Sequence, residues 1–308
     1  MLGNLVVSRI GLGLAALGRP GYINLEHARD LSGHTDERSM ELAAHAVLDV
    51  AYERGVRYFD AARSYGKAEA FLASWLHARG LTREEVSVGS KWGYTYTAGW
   101  RVDTDVHEVK DLSLETLRRQ SAESLELLGS NLRLYQIHSA TLDSGVLDDP
   151  GVLDELARLR EGGLLIGLTV TGPGQAETIE KALEVGGFDT VQATWNLLER
   201  SAGAALAAAH EAGLGVIVKE ALANGRLTER GDIAALNDAA RGAGTTPDAL
   251  ALAVVCAQPW ADIVLSGAAT AEQLESNLAG LDLDPVELDG IEENPDSYWE
   301  KRAALAWN

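Results

Sequence analysis

Residues 165–194 read LIGLTVTGPGQAETIEKALEVGGFDTVQAT and contain one complete strand–helix–strand unit. The apolar runs at residues 165–169 and 190–193 are typical of buried strands, and residues 176–183 repeat apolar side chains at helical spacing. Two strands that are joined by a helix pair in parallel through a right-handed crossover. This unit therefore predicts an α/β fold.

The same alternation of strand and helix patterns extends along the chain. Further candidate strands occupy residues 6–10, 56–59, 86–89, 132–137, 215–219 and 263–265. Helical patterns occupy residues 40–51, 114–128, 153–160, 202–212 and 250–256, and another begins after Thr270. Strands that are almost continuously apolar favour a closed barrel over an open doubly wound sheet. We predict one α/β domain over residues 1–308, a single (β/α)₈ TIM barrel, with the tail 283–308 packing on the barrel or capping it.

The composition restricts the partners and the compartment. The chain has 46 acidic and 26 basic residues, a formal net charge of −20, and one cysteine, Cys256. This charge argues against a nucleic-acid partner, and a single cysteine excludes an intrachain disulfide and a cysteine-built metal site. With no long apolar segment, we expect a cytoplasmic protein with no membrane partner and no metal. The oligomeric state stays open.

Ionisable residues end three of the predicted strands. These are Asp60, Lys91 and His138, and Tyr65 follows Asp60 by five residues. Singly, each has an ordinary explanation, such as a helix cap, a surface cation or a core histidine. Because parallel barrel strands end at one mouth, we expect the side chains to meet there. A lysine beside a phenol is expected to lower the pKa of Tyr65 from ~10 and make it a general acid. Protonation of a carbonyl oxygen accompanies hydride delivery to its carbon.

Three blocks, YFDAARSYGKAE (residues 58–69), SKWGY (90–94) and LYQIHS (134–139), together resemble the aldo-keto reductases. The resemblance implies that Tyr65 is the general acid and base, that Lys91 and Asp60 tune it, and that His138 orients the substrate oxygen. It also implies NAD(P)H-dependent hydride transfer to or from a small aldehyde, ketone, sugar or lactone. NADP is the expected cofactor, with NAD as the alternative.

The resemblance also assigns residues to the cofactor. Gln192 matches the glutamine that holds the nicotinamide carboxamide, and Thr169 replaces a serine hydroxyl. Leu222 and Gly225 fit the pyrophosphate loop, and Trp195 is a candidate stacking face for the nicotinamide. Further candidates near the last strand are Ser266, Gly267, Ala268, Thr270, Gln273 and Asn277. This last set lacks the arginine or lysine that usually binds the 2′-phosphate of NADP.

Two charged residues depart from the family pattern. Lys219 stands where an aromatic ring usually stacks on the nicotinamide, and Glu220 stands at a serine of the pyrophosphate loop. Either they act directly on the cofactor or they form a salt bridge with each other.

Aromatic residues in the loops are candidates for binding the substrate. They are Tyr22, Trp92, Tyr94, Tyr96 and Trp100. Two other functions stay open. One is a cofactor-binding regulatory subunit of the same fold, and the other is a Schiff-base lyase that uses Lys91 or Lys219.

Overall fold

The computed structural model describes residues 2, 5–288 and 290–308, so residues 1, 3, 4 and 289 of the predicted domain 1–308 lie outside the described residues. The strands within these ranges are β1 (Ile10–Gly13), β2 (Tyr58–Asp60), β3 (Ser87–Trp92), β4 (Tyr94–Tyr96), β5 (Glu108–Lys110), β6 (Leu132–Ala140), β7 (Leu165–Val170), β8 (Thr190–Thr194), β9 (Gly215–Lys219) and β10 (Ile263–Ser266). Eight of them close into a parallel barrel in the order β1-β10-β9-β8-β7-β6-β3-β2. The predicted (β/α)₈ barrel is confirmed.

Helices surround this barrel. They are α1 (His27–Asp30), α2 (Glu37–Glu53), α3 (Ala68–Arg79), α4 (Leu114–Leu128), α5 (Pro150–Glu161), α6 (Gln175–Val185), α7 (Gly203–Glu211), α8 (Ala234–Ala243), α9 (Pro247–Cys256), α10 (Ala271–Ala279) and α11 (Pro295–Ala303). The start of α10 follows from its sequence, because Thr270 accepts a hydrogen bond from the backbone N–H of Gln273. The side chain of Gln273 in turn accepts from the N–H of Ala269 at 2.8 Å. Among the described residues, no helix has the length and apolar character needed to span a membrane.

The first strand begins later than the sequence predicts. The apolar run at 6–10 is predicted to form it, but β1 starts at Ile10. Val7 instead packs on a cluster inside the barrel that includes Tyr58, Leu134 and Ile217. The run is apolar because it covers this cluster, and apolar burial alone does not distinguish such a cover from a strand.

The loops at the carboxyl ends of the strands, which include residues 18–35, 92–112 and 220–231, form the mouth. The second stretch contains an unpredicted antiparallel hairpin, in which β4 pairs with β5. The tail also reaches the mouth. The backbone N–H of Tyr22 donates to the carbonyl of Asn308 at 3.1 Å, and Asn308 N–H donates back at 3.2 Å.

Candidate active site

A cavity of about 950 Å³ lies at the carboxyl ends of the barrel strands. Its wall includes residues from the loops after β1 and β9, from the β4–β5 hairpin, from the start of α10 and from the tail. This volume is within the range of sites that bind small molecules and cofactors.

A buried ion pair lies at the base of the cavity. Lys91 and Asp60 are 1% and 2% exposed and pair directly. Lys91 also donates to the carbonyl of Ala61 at 3.0 Å. Asp60 accepts from the hydroxyl of Tyr58 and from the amide of Gln192, each at 3.1 Å. A buried pair is tolerated when further hydrogen bonds satisfy both ions, so this pair has a fixed position.

One glycine makes room for this arrangement. A Cβ atom at Gly89 would lie 2.1 Å from the hydroxyl oxygen of Tyr58. Because Gly89 on the neighbouring strand β3 has no Cβ, the Tyr58 hydroxyl reaches Asp60, which lies two residues further along β2. A larger residue at position 89 would displace a hydrogen-bond donor from the carboxylate.

Tyr65 lies above the ion pair. The Lys91 ammonium is 5.0 Å from the centroid of its ring. Burial, followed by the carboxylate of Asp60, raises the pKa of Tyr65 above its ordinary value. The expectation that the pKa of Tyr65 lies below its ordinary value is wrong, because burial and the carboxylate of Asp60 both disfavour the phenolate. A raised pKa favours the neutral phenol, which is the form of Tyr65 that can donate a proton.

His138 forms another part of the cavity wall. Its ring centroid is 5.5 Å from that of Tyr65 and 4.9 Å from that of Tyr94. Burial, and then the positive charges of Lys91 and Lys219, lower the pKa of His138 well below its usual value. Its buried Nδ1 has no hydrogen-bond partner in the described ranges. A neutral imidazole next to Tyr65 is suited to orienting a substrate oxygen.

The two unexpected charges, Lys219 at the end of β9 and Glu220 directly after it, do not form an ion pair with each other. Glu220 forms its ion pair with Arg302 of α11. Burial opposes ionisation of Glu220, but Arg302 and Lys219 outweigh it and lower its pKa to about 2. Lys219 donates to the hydroxyl of Thr194 at 3.0 Å and lies 5.8 Å from the ring centroid of Trp299. Burial lowers the pKa of Lys219 to about 8.

The other cofactor candidates line the same cavity. They are Gln192, Lys219, Glu220, Leu222, Gly225, Ser266, Gly267, Ala268, Thr270, Gln273 and Asn277. The side chain of Asn277 is buried and contacts the Ser266 hydroxyl at 2.8 Å. Two acidic residues, Asp248 and Glu272, also lie in the wall. The cavity therefore has an acidic border near the start of α10.

Six predicted site residues lie outside the described cavity wall. They are Lys91, Trp92, Tyr96, Trp100, Thr169 and Trp195. Lys91 is below the floor, and the hydroxyl of Thr169 accepts from the N–H of Ser139 at 2.7 Å. Trp92 is buried in the core, and Trp195 packs edge-on against Trp260 at 5.4 Å. Gln192 lies within β8 and lines the cavity, whereas Trp195 follows the end of β8 and is absent from the described wall.

Trp100 and Tyr96 belong to the mouth loop rather than to the wall. The indole of Trp100 donates to the carbonyl of Thr35 at 2.7 Å and packs on Phe71 at 6.2 Å between ring centroids. Tyr96 is in the β4–β5 hairpin. Of the predicted substrate aromatics, Tyr22 and Tyr94 line the cavity.

Sequence reasoning missed several residues in the wall. They include Arg19, Glu108 and Arg302. Trp307, in the tail that the sequence predicts to pack on the barrel or cap it, also lines the wall. Trp307 stacks on His107 with 4.0 Å between ring centroids and 4° between planes. An arginine within the glycine-rich stretch 11–21 was the one available signal, because the other contacts join distant parts of the chain.

Residues 9–294 match the model of the Aldo/keto reductase family. The chain belongs to the aldo/keto reductase family. Protein tas of Escherichia coli (strain K12) is 25% identical and aligns over 91% of both chains. The NADH-specific methylglyoxal reductase of the same strain is 25% identical over 93% of each chain. These matches support oxidoreductase activity for this aldo/keto reductase.

A solved aldo/keto reductase has the same fold. It is AKR11C1 from Bacillus halodurans, in its holo form, with a TM-score of 0.71 and 22% identity, covering 99% of this chain and 96% of that one. The barrel of this aldo/keto reductase is therefore the fold of a known member of the family.

Proposed function

We propose that this aldo/keto reductase transfers hydride between a nicotinamide cofactor, NADP or NAD, and a small carbonyl or alcohol substrate, with Tyr65 as general acid and base. The observation that supports this most strongly is a protonated Tyr65 between the Lys91–Asp60 pair and a neutral His138, all beside one cavity. Aldehydes, ketones, sugars and lactones all offer the carbonyl that this arrangement requires.

Four residues of the protein each have a separate role in the proton transfer. Tyr65 donates its proton to the carbonyl oxygen, and His138 orients that oxygen. The ammonium of Lys91, 5.0 Å from the ring centroid, stabilises the negative charge that develops on the phenol. Asp60 holds Lys91 in place. A bound nicotinamide cofactor supplies or accepts the hydride. In the oxidation direction Tyr65 takes the proton back.

The cavity residues fit a dinucleotide. The backbone at the start of α10, with Gly267 in the wall, is suited to a phosphate, since a helix N-terminus offers free N–H groups. The buried Oδ1 of Asn224, also in the wall, has no partner within the described ranges. Glu220 would repel a phosphate, but its charge is compensated by Arg302.

The acidic border favours NADH over NADPH. Asp248 and Glu272 would face the extra phosphate of NADP, which carries negative charge. Two further arginines that line the cavity, Arg29 and Arg230, pair with Glu26 and Asp30. A relative that aligns over 93% of this chain is named for NADH specificity. We therefore expect NADH to bind at least as tightly as NADPH.

Cofactor binding is tested by titrating the protein with NADH and with NADPH in parallel and measuring the change in tryptophan fluorescence. A panel of aldehydes and ketones with each cofactor then tests turnover. Binding with turnover supports the proposal, and binding without turnover of any carbonyl would favour a regulatory subunit. The cytoplasmic location, the single domain and the absence of a nucleic-acid partner remain predictions from the sequence.

Schiff-base chemistry is the second candidate, because Lys219 lines the cavity and burial lowers its pKa to about 8. Lys91 is less suited to it, since Asp60 holds its ammonium in an ion pair. Borohydride trapping with an aldehyde, read by mass spectrometry, distinguishes the two functions. No adduct at Lys219 is expected if the protein is a hydride-transfer enzyme.

A further inference from the structure

One lysine of the cavity wall forms no ion pair among the described residues. Five arginine and lysine side chains line the described wall, and the four arginines each pair with a carboxylate, as Arg19–Glu108, Arg29–Glu26, Arg230–Asp30 and Arg302–Glu220. The fifth is Lys219, which is partly buried at the end of β9. Its ammonium donates to the hydroxyl of Thr194 at 3.0 Å. The charge of Lys219 is therefore not neutralised by a carboxylate of its own.

The acidic residue next to Lys219 is already paired. Nε of Arg302 is 3.0 Å from both carboxylate oxygens of Glu220. The hydroxyl of Thr194, which accepts from Lys219, donates to Glu220 at 3.2 Å. Two cations, Lys219 and Arg302, thus share one carboxylate. This group of side chains has an excess of one positive charge at the cavity.

The excess charge lies near the groups proposed for proton transfer. Lys219 is opposite Thr194 in the pairing of β9 with β8. Two residues before Thr194, the amide of Gln192 donates to Asp60 at 3.1 Å. The positive charge of Lys219 is also one of the causes that lower the pKa of His138. Its electric field therefore reaches the position at which a substrate carbonyl would meet His138.

The two redox forms of a nicotinamide cofactor differ by one charge, because the oxidised ring is positive and the reduced ring is neutral. Hydride transfer requires the reacting atoms to approach to about 3–3.5 Å, so this ring must lie beside the substrate carbonyl. An ammonium near that position repels the oxidised ring and has little effect on the neutral one. Such repulsion is strong where protein excludes water and weak in bulk solvent.

We propose that Lys219 makes this protein bind the reduced nicotinamide cofactor in preference to the oxidised one. The inference rests on the proposed hydride transfer and adds the direction that the protein favours, which is reduction. In that direction the carbonyl carbon accepts hydride from the reduced ring, and the carbonyl oxygen accepts the proton of Tyr65. Repulsion by Lys219 then promotes release of the oxidised cofactor.

The test compares the dissociation constants of NAD⁺ and NADH, and of NADP⁺ and NADPH, by tryptophan fluorescence. Lys219, whose pKa is about 8, is mostly protonated at about pH 7, where the titrations are made. Two unit charges about 10 Å apart, at an effective dielectric constant of about 20, change a binding ratio about 15-fold. Lys219→Gln removes the charge and keeps a side chain that can donate to Thr194. It should lower the ratio of the oxidised to the reduced Kd at least about fivefold.

Three further variants separate charge from structure. Lys219→Arg keeps the positive charge and should keep the ratio close to that of the unmodified protein. Lys219→Met removes the same charge as Lys219→Gln, so either variant is sufficient if thermal unfolding shows that the other does not fold. Lys181→Met removes a positive charge from α6, outside the described wall, and should leave the ratio unchanged.

Three outcomes would overturn the inference while leaving hydride transfer intact. One is an unchanged ratio in folded Lys219→Gln. Another is an equal decrease in Lys181→Met, which would indicate an effect of net charge alone. The third is a change confined to the KM of a carbonyl substrate, which would mean that Lys219 acts on the substrate. If neither redox form of either cofactor binds, the proposed function itself fails, and the inference fails with it.

Discussion

Glu220, directly after β9, forms an ion pair with Arg302 of α11, and Nε of Arg302 is 3.0 Å from both carboxylate oxygens. The pair joins the cavity to the tail of the chain. Arg302 compensates the charge of this acidic residue in the loop after β9. The tail is thereby part of the cavity wall, together with Trp307.

Removal of Arg302 should destabilise the fold. In Arg302→Gln, the carboxylate of Glu220 stays buried without its cation, and loss of one partner of a buried pair costs about 3 kcal/mol or more. Denaturant unfolding measures this change. Arg241→Gln breaks an exposed pair with Asp238 and should cost under about 1 kcal/mol. Equal effects of the two variants would contradict a buried, stabilising pair at Glu220.

The pair below the floor should show strong coupling. Lys91→Met leaves Asp60 as an unpaired buried carboxylate and should lower the free energy of unfolding by about 3–5 kcal/mol. Asp60→Asn in the same chain should restore part of that loss, because the remaining groups are neutral. A double-mutant cycle measures the coupling. Additive effects of the two substitutions would show that the ion pair has no energetic role.

The lowered pKa of Lys219 predicts that the stability of the fold rises with pH. Burial lowers its pKa from an ordinary value of 10.5 to about 8 in the folded chain. Between these values the unfolded chain binds more protons, so an increase in pH stabilises the fold. The free energy of unfolding of the unmodified protein, compared with that of Lys219→Met, should therefore increase between about pH 8 and about pH 10.

Lys181→Met is the control for this pH effect. The side chain of Asp148 raises the pKa of Lys181, so its contribution to stability should weaken as the pH rises. If the contributions of both lysines to stability change in the same direction as the pH rises, Lys219 is not desolvated in the folded protein.

The acidic border predicts how cofactor preference can be changed. Glu272→Arg replaces a negative charge in the cavity wall with a positive one and should raise affinity for NADPH by about tenfold relative to NADH. Fluorescence titrations with both cofactors measure this ratio. Glu211→Arg makes the same change in charge at the exposed end of α7, and an equal shift there would indicate a general charge effect.

The convergence of Asp60 and His138 was predictable from sequence, because Asp60 ends β2 and His138 lies two residues before the end of β6 in one parallel barrel. The position of Trp195 outside the described cavity wall was not predicted, because this residue follows the end of β8. The contacts of Trp307 and Arg302 could not be predicted. They join residues far apart in the chain, 82 positions in the case of Arg302 and Glu220, and depend on the path of the tail.

Tyr65→Phe tests the proposed role of Tyr65 as proton donor most directly, when carbonyl reduction and NADH or NADPH binding are measured on the same preparation. Loss of the phenol should lower kcat by at least about 10²-fold, since a general acid contributes about 10²–10⁴, while cofactor affinity changes little. Tyr52→Phe, at a tyrosine absent from the described cavity wall, is the matched control. Retained turnover in Tyr65→Phe would contradict the assignment of Tyr65 as the proton donor.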